Sequence, residues 1–196
     1  MRKTTIAMAV SAALISAPAW AGIAGSPHDL SVRLGTGQVC LPCHAPHAGL
    51  NASTGPAWNH ALSKASFTQS GAPLKLTGDS ALCMGCHDGV TAVGDFNVAN
   101  ASVRISPDVA NLAIQKLPGA NPANDLGTDL SGIHAVSALY PTARASMKPI
   151  TALSPLRLQD GKVECTTCHD PHNSLHGKFL RMSNAGSAMC LTCHNT

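Results

Sequence analysis

The chain has 196 residues and a formal net charge of +3, a mild balance with no Lys/Arg cluster beyond the first residues. That excludes a strongly basic nucleic-acid or anionic-membrane surface. Only three Phe, two Trp and one Tyr are present against seventeen Gly and thirteen Pro, so neither an aromatic-rich core nor long helices nor a continuous sheet is expected.

At the start, Arg2 and Lys3 precede an apolar stretch from Ile6 to Ile15, and Ala19-Trp20-Ala21 forms a small-x-small cleavage signal before Gly22. This pattern is that of a secretory signal peptide over 1–21. A membrane span needs roughly twenty apolar residues, twice what the stretch offers, and Pro18 stands just behind it. Residues 22–196 hold no second run of that length, so no transmembrane segment is expected, and the product is expected in the periplasm or outside the cell.

Further along, all eight cysteines fall into four copies of one pattern: Cys40-Leu-Pro-Cys43-His44, Cys83-Met-Gly-Cys86-His87, Cys165-Thr-Thr-Cys168-His169 and Cys190-Leu-Thr-Cys193-His194. Cys-x-x-Cys-His is the attachment pattern of haem c. Two thiols three residues apart each form a thioether to one vinyl group of a porphyrin, and the adjacent histidine reaches the iron. Disulfides leave the histidine after every second Cys unexplained. Adjacent Cys-His suits a tetrahedral zinc site poorly, and a thioredoxin-like pair needs a strand and helix around a single motif. Four haem c groups are therefore expected, with His44, His87, His169 and His194 as proximal ligands.

The motifs form an internal repeat. Cys40 to His47 reads like Cys165 to His172, each ending His-x-Pro-His, and each is followed by a second unit opening Ser80-Ala-Leu-Cys83 or Ser187-Ala-Met-Cys190. The chain thus divides into a haem pair at 40–87, a connector at 88–164 and a haem pair at 165–194, within one unit over 22–196. Pro107, Pro118, Pro122, Pro141, Pro149 and Pro155 make the connector mostly loop. The expected fold is mostly irregular, with short α-helices at the motifs and little or no β-sheet. Porphyrins take the place of the missing aromatic side chains, and Ser187 is expected to cap the helix of the last motif.

Ten histidines, four of them in motifs, leave His28, His47, His60, His134, His172 and His176 for the far side of each iron. Bis-histidine ligation is expected at all four, which keeps the potential below that of a His/Met pair. His47 and His172 lie three residues after a proximal histidine, about 5–6 Å away between Cβ atoms on a helical turn. Opposite ligands of one iron lie farther apart, so each is expected to serve a neighbouring haem, or none. His134 is the only histidine of the connector, His60 follows Trp58-Asn59 within the first pair, and His176 has the weakest claim.

These residues resemble the multihaem cytochromes with doubled Cys-x-x-Cys-His motifs. The resemblance runs through Ser26-Pro-His28-Asp29-Leu30-Ser31, Cys43-His44-Ala-Pro46-His47, Trp58-Asn59-His60, Leu82 to Gly89, Leu126-Gly127-Thr128-Asp129-Leu130-Ser131 with His134, and Cys168-His169-Asp170-Pro171-His172. Size and haem number are most similar to the four-haem cytochromes that polymerise into extracellular filaments, where a histidine of one subunit ligates a haem of the next. The resemblance implies distal roles for His28, His47, His134 and His172, with His60 a close competitor, so one of the five is idle. Ala135 departs from it, because the family often has Pro there.

The function expected is electron transfer and not catalysis, since an enzyme needs an open coordination position and spare histidines outnumber the irons. Redox proteins or an extracellular acceptor are the expected partners. A head-to-tail homopolymer with a trans histidine is also expected, because heterologous contacts make open polymers. The alternatives are a discrete periplasmic shuttle and, third, a multihaem redox enzyme.

Overall fold

Phe67–Gln69 (β1) and Ala72–Leu74 (β2) flank Ser70-Gly71, and both turn residues have positive φ, 53° and 76°. Two such residues build the tight turn whose twist suits a hairpin, and the strands pair antiparallel with Phe67 opposite Leu74. The structure is a computed structural model and describes residues 22–32, 37–45, 57–91, 93 and 125–195. The expected signal peptide, His47 and the connector between 94 and 124 lie outside the described residues.

Helix α1, Gly78–His87, carries the second motif. Asp79 in its first turn complements the helix dipole, and Ser80, Met84 and Gly85 form its buried side. Gly85 is there because a Cβ would fall 2.6 Å from the Ala61 carbonyl oxygen. The helix ends at Asp88, whose buried carboxylate collects the amides of Val90 and Thr91, and Gly89 follows at φ 67°. A left-handed glycine at that place stops a helix without strain.

The described part of the connector contains short 3-10 turns at Leu130–Gly132 and Ile150–Ala152 and, between them, the strand Ala138–Leu139 (β3). Strand β3 pairs antiparallel with Lys162–Val163 (β4), which leads into helix α2, Cys165–Cys168, on the third motif. A last 3-10 turn, Ala185–Ser187, leads into helix α3, Ala188–Cys193, on the fourth motif. The molecule is therefore mostly irregular, with short helices and two small two-stranded sheets, as expected.

One expectation is corrected. Ser187 precedes α3 but sits in the left-handed region at φ 62° and makes no side-chain capping bond. In that conformation its hydroxyl is turned from the helix amides, and Asn184 Oδ1 accepts from the Met189 amide instead, at 3.1 Å.

The chain also builds a side-chain core of its own. Phe67, Met84, Leu130 and Val136 are buried together, with Leu74, Leu76 and Leu126 against them. Hairpin, α1 and the end of the connector meet there, which fixes α1 against the segment that presents His134. Leu130→Ala should lower the unfolding free energy by about 2–5 kcal/mol through lost burial and an unfilled cavity. Denaturant titration checks this, and a loss under about 1 kcal/mol would place the stability elsewhere.

Candidate haem centres

Each motif is held by the same local device. A helical turn brings two thiols and an imidazole to one side, and where it is a single turn the histidine amide donates back to the first cysteine carbonyl. That bond is 2.8 Å from His44 to Cys40, 3.0 Å from His169 to Cys165 and 2.9 Å from His194 to Cys190. The chain then turns extended at the histidine, which joins a neighbouring segment as an antiparallel bridge: His44 with Trp58, His169 with Leu180, His194 with Met147. These bridges anchor the imidazoles from outside the motif. The second motif differs, being carried whole on α1.

All eight thiols are free of disulfides. The motifs also approach one another through them. Cys83 and Cys165 are hydrogen-bonded, which raises the Cys83 pKa and lowers that of Cys165 to about 7. Burial, then the nearby Cys43 and Asp88, pushes Cys86 up to about 12. Burial, then Cys193 and Cys190, raises Cys168. First and second motifs, second and third, and third and fourth are thus neighbours.

Three imidazole pairs approach one another across the molecule, with ring planes inclined by 54° for His28 and His87, 18° for His44 and His172 and 66° for His134 and His194. Ring centroids are 6.0 Å apart for His28 and His87, 6.1 Å for His44 and His172, and 6.4 Å for His134 and His194. Two metal–nitrogen bonds of about 2 Å, with roughly 1 Å from each nitrogen to its ring centre, sum to about 6 Å. These spacings fit an iron between each pair. Among the described residues no three of His, Cys, Asp or Glu gather as a metal cluster; the donors come in opposed twos, beside a pair of thiols. A buried donor fits as well. Trp58 Nε1 lies beside His44 with no acceptor among the described residues, and a porphyrin carboxylate is the kind of group that would satisfy it.

Backbone carbonyls set the tautomers. His134 Nδ1 donates to Ala135 at 2.9 Å and His169 Nδ1 to Lys178 at 2.9 Å, an arrangement that orients a ligating ring and leaves Nε2 for the metal. His172 takes its orientation from Asp170, 3.6 Å from its Nδ1, and Asp170 is held by Arg181 at 3.2 Å. The His28 ring is stacked on Phe179, centroids 4.5 Å apart.

His60 is arranged otherwise. It is 2 % exposed, and its two ring nitrogens face the carbonyls of Ala61 at 2.9 Å and Val93 at 3.2 Å. Its ring is thus directed at backbone carbonyls, and it belongs to none of the three imidazole pairs. His176 is exposed, and His47, the other expected partner, lies outside the described residues. The His28 ring lies inside its own chain, against Phe179 and the His87 side of α1. The reciprocal approach of Asp170 and Arg181 had no signal in spacing, since Arg181 lies outside any motif.

Comparison with known proteins adds one finding. Residues 158–196, which include the third and fourth motifs, match the family model described as the doubled CXXCH motif. No curated protein matches the chain. The motif indicates covalent haem c binding and, with it, electron transfer of the kind that multihaem c-type cytochromes perform. Among the described residues no helix is long and apolar enough to cross a membrane.

Burial, with the neighbouring His87 and His169, pushes the His28 pKa from 6.5 down to about 4. The ring is therefore neutral at neutral pH, with a lone pair to give. As pH falls the unfolded chain takes the proton first, so stability that is full above about 6.5 is lost progressively toward about 4. The slope of unfolding free energy across that window should flatten in His28→Gln, and an unchanged slope would contradict the burial of this ring.

Proposed function

We propose that the chain is a secreted tetrahaem c-type cytochrome, acting outside the cytoplasm, that passes electrons between redox partners through four bis-histidine irons. The observation that carries this reading is the set of three opposed imidazole pairs at 6.0, 6.1 and 6.4 Å, each with one member from a Cys-x-x-Cys-His motif. His28 would face His87, His172 would face His44 and His134 would face His194. His169 then falls to His47, the reciprocal of His172 in the repeat, and His60 is the idle fifth. Bound haem supplies a reversible one-electron couple with low potential.

The protein's own residues do the rest. Paired imidazoles would hold each iron from both sides and leave no position for substrate, which favours a carrier over an enzyme. His172 follows the third motif yet faces the first, so that segment ties the two motifs together. The Cys83–Cys165 contact brings the second motif against the third. Contiguity of this kind is what electron passage between neighbouring groups needs.

The geometry favours a discrete unit over the head-to-tail filament, because His28 is engaged with His87 of the same chain. Protein purified from a host that matures haem c should contain four haems, low-spin by EPR. His28→Ala, His134→Ala and His172→Ala should each turn one haem high-spin, and His60→Ala none. Size exclusion should give a monomer. Filaments in negative stain, or His60→Ala exposing a high-spin iron, would reverse the corresponding assignment.

A further inference from the structure

The carboxylate of Glu164 stands where the two halves of the chain meet. It is 2 % exposed and lies one residue before Cys165, at the start of α2. Thr77 Oγ1 donates to Oε1 at 2.7 Å; Ser80 and Ser137 donate their hydroxyls to Oε2, the latter at 3.1 Å. The Thr167 amide also donates to the side chain, while the Glu164 amide donates to Thr167 Oγ1 at 2.9 Å. Ser80 Oγ in turn accepts from the Cys165 amide at 3.0 Å. Donors from α1, from the connector and from α2 thus converge on one group.

Among the described residues no cation pairs with it. The ion pairs among the described residues are those of Asp170, with His172 and Arg181. Lys162, on the adjacent strand, donates its Nζ to Thr77 Oγ1 at 3.3 Å and makes no ion pair with the carboxylate. A buried charge without a counter-ion is costly unless hydrogen-bonded, and here the neutral hydroxyls and amide do that work. Joining two helices does not itself require a charge. Ser, Thr, Asn or Asp is the usual start of a helix. What the charge adds is a field, and the groups that hold the carboxylate lead straight into the second motif, through Thr77 and Ser80 at the start of α1, and into the third, through Thr167, whose thiols Cys83 and Cys165 interact nearby.

We propose that Glu164 is a fixed negative charge at the junction of the second and third motifs that lowers the reduction potential of the two irons attached there. The physical cause is Coulombic. A ferric haem carries one more positive charge than a ferrous one, so a nearby carboxylate in a poorly screened interior stabilises the oxidised form. Glu164 is a positioning and tuning residue, touching neither iron. It sets the middle of the path apart in potential from the first and fourth motifs. The inference rests on the four-haem reading above.

The test is a spectropotentiometric titration of the holoprotein, with EPR of the oxidised form to show that ligation is unchanged. Glu164→Gln should shift part of the reduction curve upward by up to about tenfold in the ferrous-to-ferric ratio, or about 59 mV for one electron. Glu164→Asp keeps the charge but loses bonds, and should leave the curve at or below that of the parent and never above it. Thr77→Val removes one donor from the carboxylate, leaves its charge less balanced, and should shift the curve downward. Equal shifts in the Gln and Asp variants would assign the effect to packing and overturn the inference. So would a Gln variant with four low-spin haems and an unmoved curve. If Glu164→Gln fails to take up haem, Thr77→Val decides, and an unmoved curve there is also fatal. Absence of haem at the second or third motif of the parent would instead sink the four-haem reading itself.

Discussion

Everything in this molecule depends on an imidazole being held opposite another imidazole from a distant part of the chain. A Cys-x-x-Cys-His turn is local and can form anywhere, because its closing bond runs only from the histidine amide to the first cysteine carbonyl. The opposing ring is not local. His28 must be brought to α1, His172 to the first motif and His134 to the fourth. The hairpin, the small apolar core under α1 and the bridges that flank each motif histidine make sense as the means of fixing those approaches. The small core and the sparse regular structure follow from the same division of labour, since the ordering of the chain is spread over many such points and not concentrated in long elements.

The sequence announced the attachment residues most clearly, because their chemistry demands fixed residue types at fixed spacing, and Cys40 to His44 can be read with no knowledge of the fold. The reach of one helical turn also sets the expectation that His172 serves a motif other than its own, or none, and its ring stands opposite His44 of the first motif. The partner in each pair was out of reach for a different reason. His28 and His60 look alike in sequence, each a lone histidine near a motif, and only three-dimensional context separates them: one ring is stacked on Phe179 toward His87, the other has both nitrogens turned to carbonyls. At the start of α3, Ser187 has the residue type and position of a cap but lies in the left-handed backbone region, next to Gly186, which also has positive φ. The apolar core went unforeseen for want of a long periodic segment. Phe67, Met84, Leu130 and Val136 come from four separate stretches, and no window of sequence contains the pattern.

The polar junction between α1 and α2 extends this logic from the ligands to their surroundings. Asp79, Ser80 and Thr77 on one side meet Gln159, Glu164 and Thr166 on the other, with Thr166 Oγ1 donating to Asp79 at 2.6 Å and Gln159 Oε1 accepting from the Asp79 amide at 2.9 Å. Such a network is strong only when each member is satisfied. Here the donors and acceptors interlock across a gap of some eighty residues in sequence, so it joins the two haem-bearing halves in one orientation. A junction of this kind fixes the relation between neighbouring motifs more rigidly than an apolar contact, which tolerates sliding.

The placement of His172 has a temporal consequence. The turn from Cys40 to His44 closes on itself through a bond within the motif, whereas the ring that stands opposite His44 belongs to a segment far along the chain. Contacts of such sequence separation form late. The local turns at the motifs therefore precede the pairing of their histidines, and that pairing belongs to the last steps by which the chain reaches its folded form.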